Sequence, residues 1–218
     1  MGSGVARERR GEGGRGGLIL SHDETRLRLT RRDERTTDLD LTALRRIVVG
    51  DDADAGPQRL ATPAELFALA DGRTRFLLDL KLPTEGLPAL LAAIREAGVG
   101  EYAILGARTL PTLAAIRAAD PALATLAFGH TRDDVWALVQ AGATTARLWQ
   151  PWVEAATLAR AATLSKPVWV MCSGTEASTN GETTVEALLE LRWAGIAAVI
   201  LNDPRLALAA NTASLDAV

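Results

Sequence analysis

Leu18-Ile19-Leu20-Ser21-His22-Asp23-Glu24-Thr25 is a short apolar run that stops abruptly at charged, chemically capable residues. Phe76-Leu77-Leu78-Asp79-Leu80-Lys81 repeats the pattern. A parallel strand reads this way when it rises through a sheet buried on both faces and delivers polar groups at its carboxyl end.

The same beat continues down the chain. Partly β-branched apolar runs fall at Phe76–Leu80, Tyr102–Leu105, Ala124–Phe128, Thr145–Leu148, Val168–Met171 and Ala198–Leu201. Helical segments lie between them at Leu87–Ala97, Leu110–Ala119, Asp133–Ala141, Val153–Leu164 and Thr184–Ala194. In the first of these, Leu87, Leu90, Leu91 and Ile94 keep the helical period. Gly98, Gly142 and Gly195 each follow a helical run, where a left-handed C-cap favours glycine. Upstream, Leu41–Val48 and Pro63–Ala70 read as helical pieces around a polar loop, Gly50–Gln58. Strands alternating with single helices imply parallel βα units. With Leu18–Leu20 the strand series is one short of a (β/α)8 barrel, and an open doubly wound sheet fits the same periodicity.

Composition narrows the function classes. The 218 residues are 48% hydrophobic and 23% charged, enough for one domain with a sizeable core. A net charge of −3 offers no basic stripe for a nucleic-acid backbone. The single cysteine, Cys172, permits no internal disulfide and fits a reducing compartment. No stretch approaches the roughly 20 apolar residues of a membrane span. The segment before Gly17 lacks the apolar centre of a secretory signal. A cytoplasmic protein is expected. Residues 1–17 read as a flexible Gly/Arg-rich tail, because a phosphate-cradling glycine loop needs a helix directly after it. Residues 18–218 read as the folded domain.

His22-Asp23-x-Thr25-x-x-Arg28-x-Thr30 resembles the His-Asp-Pro-Thr-x-x-Arg-x-Thr segment of the glycerophosphodiester phosphodiesterase family. Asp79-Leu80-Lys81 is similar to that family's Glu-Ile-Lys, with the carboxylate one methylene shorter. Further likenesses follow in the same order. Asp40-Leu41-Thr42-Ala43-Leu44-Arg45 resembles the family's Leu-Thr-x-x-Glu-Leu-Arg, and Leu60-Ala61-Thr62-Pro63-Ala64-Glu65-Leu66 its Ile-Pro-Thr-Leu-x-Glu-Leu. Val168–Met171 stands where the family has a strand ending in Trp-Thr. Gly195–Ile200 with Pro204 resembles its closing Gly-Val-Asp-Gly-Ile-Ile-Thr-Asp-x-Pro. The resemblance runs from about Leu18 to Pro204 and implies a TIM (β/α)8-type barrel, here with its first βα unit missing or rebuilt.

The implied activity is metal-dependent hydrolysis of a glycerophosphodiester to glycerol phosphate and an alcohol, with a small-molecule phosphodiester as the partner. That chemistry needs charge neutralisation on the phosphoryl oxygens, an activated nucleophile and protonation of the leaving alkoxide. Carried over from the family, His22 is the general acid or base and Asp79 a ligand of a divalent metal (Mg or Ca). Lys81 holds a phosphate oxygen or orients the carboxylates. Met171 takes the place of the aromatic lid residue, and Trp149 with Trp152 flanks Pro151 just past a strand, as an apolar wall for the alcohol or as packing under the rim.

Part of the family pattern is absent. The sequence contains no His-Arg-Gly, and Arg7-Glu8-Arg9 falls where the Glu-x-Asp metal pair belongs. Glu8 and Glu12 are the only carboxylates upstream of His22. Three explanations stand side by side: a fragment of a longer protein, a degenerate member that binds a phosphoester without cutting it, or a partner chain that supplies the first unit. A non-catalytic phosphoester-binding or structural barrel is therefore the alternative function. A barrel short of a strand also exposes two edges, so self-association through them is expected.

Other residues carry weaker signals. His130 faces the functional rim after a strand end, and Asp133-Asp134 after Thr131 reads as a helix N-terminus. Trp136 and Trp193 lie within helical periods and are expected in the core. The loop Gly174–Glu182 is long and polar, suiting a lid or a plain connection.

Overall fold

A computed structural model describes residues 2–9, 17–21, 39, 41–52, 56–82, 84–173 and 180–215, with backbone alone at 2–9, 51, 52, 214 and 215. The chain divides into two compact units, Met1–Thr125 and Leu126–Val218.

The first unit is organised around strand β5 (Phe76–Leu80), buried at all five positions. Four of its five residues are apolar because both faces are covered, Asp79 being the exception. Parallel to it on one side runs β6 (Ala103–Ala107), with Phe76 opposite Ala103 and Asp79 opposite Gly106. On the other side lies β1 (Gly2–Arg9), also parallel, with Val5 opposite Asp79. Strand β2 (Gly17–Leu20), expected as a parallel strand buried on both faces, instead pairs antiparallel to β1, Ala6 facing Leu20, and only Ile19 of it is buried. Residues 2–9, assigned to the tail on composition, thus form a strand. Their pairing comes from the edges of β5 and β2, and a Gly/Arg-rich segment has little strand propensity of its own to announce it.

Helix α1 (Leu41–Arg45) is shorter than expected. Beyond it the polar loop is an antiparallel ribbon, β3 (Val48–Asp52) with β4 (Gly56–Arg59). Val48 and Val49 favour a strand over a helix extension, and Gly56 takes the positive φ of 70° at the return. Ile19, Leu44 and Leu60 form a small core beneath, with Leu41 and Ile47 packed on it. Gly17 lies so close to the Leu41 side chain that any Cβ there would overlap it.

Helix α2 (Pro63–Ala70) begins with a complete capping box. The Glu65 amide donates to Thr62 Oγ1 (3.3 Å), and Glu65 Oε2 accepts from the Thr62 amide (2.8 Å) and from Arg45 Nη1. Phe67 of α2 stacks on Phe76 at 5.1 Å between ring centroids. Helix α3 (Leu87–Glu96) buries Leu87, Leu90, Leu91 and Ile94, the residues its period picks out. Helix α4 (Leu110–Ala119) follows β6, and Arg117 ties the next turn down by donating to Pro121 O (2.6 Å) and Leu123 O (2.9 Å).

Strand β7 (Ala124–Ala127) leads into the second unit. There β7, β8 (Thr145–Trp149), β9 (Val168–Met171) and β10 (Ala198–Ile200) follow one another in parallel. They alternate with α5 (Arg132–Gln140), α6 (Ala155–Thr163), α7 (Val185–Trp193) and α8 (Pro204–Leu215). The glycines expected at C-caps, Gly98, Gly142 and Gly195, have φ of 66°, 104° and 79°. Thr131 caps α5 with Asp134 completing the box, as the acidic pair suggests. Trp136 is buried, but Trp193 is 78% exposed and is not part of the core. It lies in the last turn of α7, beyond Leu188 and Leu191, which carry that helix's buried face.

The α2 cap gives a stability test. Thr62→Ala should cost about 1 kcal/mol at neutral pH, measured by urea denaturation. Hydrogen bonding from Arg45, then from the Thr62 backbone, holds the Glu65 carboxyl down at about 2, from an ordinary 4.5. Its contribution is therefore complete above pH 4.5 and lost as pH falls toward 2. The stability difference between wild type and Glu65→Gln should shrink over that window.

Candidate functional site

Side chains two residues apart on a strand share a face, and so do those at matched positions of its neighbour. Asp79 and Lys81 therefore share a face of the chain as it leaves β5. Gly106 is the residue opposite Asp79, and Arg108, two residues on, emerges on the same side. The three meet. Arg108 Nε donates to Asp79 Oδ1 at 2.7 Å, and Arg108 Nη2 donates to Asp79 Oδ2 at 2.6 Å. Lys81 Nζ stands 3.7 Å from Oδ2. Asp79 is only 8% exposed, so its carboxylate would be costly without these cations.

Asp79 and Lys81 are thus brought together as the sequence reading expects. Arg108 was not foreseen. Its signal was present, a charged residue directly past the apolar run of β6.

The fit to a divalent cation can be tested on these contacts. A hard cation needs several oxygen ligands with lone pairs directed at it. Both Asp79 oxygens instead accept from the Arg108 fork, and no group of three or more His, Cys, Asp or Glu gathers anywhere among the described residues. As arranged, the described residues do not fit a divalent metal. His22 and Glu12 lie outside the described residues, as does the side chain of Glu8.

The second unit carries its own cluster at the carboxyl ends of β8 and β9. Trp149 and Met171 are register partners, so these two expected ligand contacts are neighbours. Trp152 meets Trp149 edge to face, 6.5 Å between centroids at 84°. Beneath them Arg147, 2% exposed, lies with its guanidinium 3.9 Å from the Trp149 ring centroid and 4.6 Å from that of Phe128. Arg147 was overlooked, although a charge inside the apolar run Thr145–Leu148 is itself a signal. Gln150 Oε1 accepts from the Ser173 amide at 3.1 Å and links the ends of β8 and β9.

Of the rim loop Gly174–Glu182, residues 174–179 lie outside the described residues. Where the chain returns, the Gly181 amide donates to Cys172 O (2.7 Å) and Asn202 Nδ2 to Asn180 O (3.0 Å). Cys172 is buried, and that burial pushes its thiol upward, away from the thiolate a reactive cysteine requires. His130 is exposed beside the N-terminus of α5. Among the described residues no helix is long and apolar enough to cross a membrane.

Arg147→Ala should lower stability by about 2–4 kcal/mol through lost ring contacts and the gap left between Phe128 and Trp149. Urea denaturation monitored by tryptophan fluorescence would measure it, and a loss under ~0.5 kcal/mol would contradict the stacked arrangement.

Comparison with solved structures identifies the fold. The chain aligns over 96% of its length, and 84% of the other's, with a phosphodiesterase from Oleispira antarctica in complex with the product sn-glycerol-3-phosphate, at a TM-score of 0.75 and 15% identity. A glycerophosphodiester phosphodiesterase from Agrobacterium tumefaciens gives a TM-score of 0.70 at 14% identity, covering 93% of this chain and 84% of that one. A glycerophosphoryl diester phosphodiesterase from Parabacteroides distasonis gives 0.69 at 15%, covering 97% and 75%. The resemblance seen in the sequence therefore holds in three dimensions: the chain has the α/β fold of glycerophosphodiester phosphodiesterases. No protein-family model matches the chain, and no curated protein does.

Proposed function

We propose that this chain binds a glycerophosphodiester, or the glycerol phosphate derived from one, with its phosphate at the carboxyl ends of β5 and β6. One observation carries the reading: Arg108 and Lys81 converge on one face around Asp79. A phosphate group is a cluster of strong acceptors that suits a guanidinium fork and an ammonium point charge together. Asp79 then orients Arg108. Supporting this, one protein of the same fold holds sn-glycerol-3-phosphate.

Hydrolysis is a second reading, favoured by His22 following directly on Ser21, the buried residue past β2. In that step water adds to phosphorus, the bond to the alcohol oxygen breaks, and the leaving alkoxide takes a proton. His22 would supply that proton as general acid, or as general base accept the one the attacking water loses, while Lys81 and Arg108 neutralise the phosphoryl oxygens. With a single histidine in place of an acid–base pair, the rate should fall by about 10²–10⁴-fold.

Calorimetric titration with sn-glycerol 3-phosphate tests the binding. Wild type should bind it, and Lys81→Ala should weaken binding about tenfold, the loss of one charge-assisted contact. Absence of binding to the folded wild type would overturn the proposal. Turnover of bis(p-nitrophenyl) phosphate or glycerophosphocholine should stay near background, with any residue of activity removed by His22→Ala. Robust turnover that survives His22→Ala would exclude the assigned proton carrier.

A further inference from the structure

We infer that Arg108 occupies the place at Asp79 that a divalent cation would need, so that this phosphoester site works without a metal. The inference rests on the proposed binding at β5 and β6 for its ligand, but not for its claim about metal. In the resembling family the corresponding carboxylate, one methylene longer, is a metal ligand. Here the shorter Asp79 gives one oxygen to Arg108 Nε and the other to Arg108 Nη2, at 2.7 and 2.6 Å. A bidentate guanidinium–carboxylate pair takes one in-plane lone pair of each oxygen, the two that a chelated metal would share, and sets its own positive charge where the metal would sit. Lys81 Nζ, 3.7 Å from Oδ2, adds a second positive charge that repels an incoming cation.

The placement follows from the strands. Asp79 is opposite Gly106 in the β5–β6 register, and Arg108 follows two residues later on the same face. Glycine at 106 leaves that face without a competing side chain. The guanidinium stays protonated at any physiological pH, so the positive charge a metal would contribute is permanent. It is covalently part of the chain and beyond the reach of a chelator.

Two measurements separate this inference from the reading it rests on. The first is calorimetric titration of the full chain with Mg²⁺ and with Ca²⁺. Wild type should show no binding tighter than about 1 mM, the weak end of protein calcium sites. Arg108→Glu, which adds a second carboxylate beside Asp79, should gain Ca²⁺ binding that Asp79→Ala then removes. Arg108→Gln, nearer in shape and checked by circular dichroism, serves if the glutamate variant does not fold. It should lose sn-glycerol 3-phosphate affinity about tenfold, because the charge standing in the cation's place is gone.

The second is sn-glycerol 3-phosphate binding to wild type in EDTA and in Mg²⁺, where the two affinities should agree. Stoichiometric metal binding by wild type that depends on Asp79 would overturn the inference, as would phosphate binding that appears only with metal. If sn-glycerol 3-phosphate binds under neither condition, the proposed function fails. The metal titrations then still decide for or against Arg108.

Discussion

A strand buried on both faces can carry charge only where it leaves the core, and only if that charge is met. β5 obeys this limit. Its residues are buried throughout, and its one carboxylate, Asp79, is answered by the Arg108 fork. Lone burial of a carboxylate would cost several kcal/mol, so the sequences of β5 and β6 are coupled. A guanidinium must arrive from the neighbouring strand at the matching height, and the parallel register delivers it. The same period of two sets Lys81 beside them. One electrostatic requirement thus fixes which charged residues of two strands meet on one face.

Most of the fold was legible because these elements carry redundant signals. β5 and β9 show apolar runs, α3 shows helical period, and the glycines after α3, α5 and α7 stand where a C-cap requires positive φ. Where a segment takes its conformation from its partners, the sequence says less. β1 is such a case: a glycine- and arginine-rich stretch held between β5 and β2. The β3–β4 ribbon is another, since its polar residues leave only Val48, Val49 and a returning glycine as clues. Trp193 failed for a third reason. Helical period defines a stripe, but the width of the buried stripe is set by what packs against it. At the end of α7 that contact runs out.

The site was legible in proportion to how locally its residues are coded. Asp79 and Lys81 sit within one strand end, where a change from apolar to charged is readable in three residues. Trp149 and Met171 are each visible as strand ends, and only the β8–β9 register makes them neighbours. Arg108 and Arg147 depend on tertiary partners. An arginine gives no hint in sequence of whether it meets a carboxylate, as Arg108 does, or the faces of two rings, as Arg147 does.

The chemistry of the Asp79 cluster has a consequence for any reaction at this site. A guanidinium cannot release its proton under working conditions, and both oxygens of Asp79 already accept hydrogen bonds from it. In the proposed reading the Arg108–Asp79 pair helps to hold an anion, but it has no proton to give a leaving alkoxide. On the proposed reading, binding and proton transfer would therefore be separable: the first would rest on the residues that leave β5 and β6, and the second on a residue outside that pair, for which His22 is the chemically suited candidate.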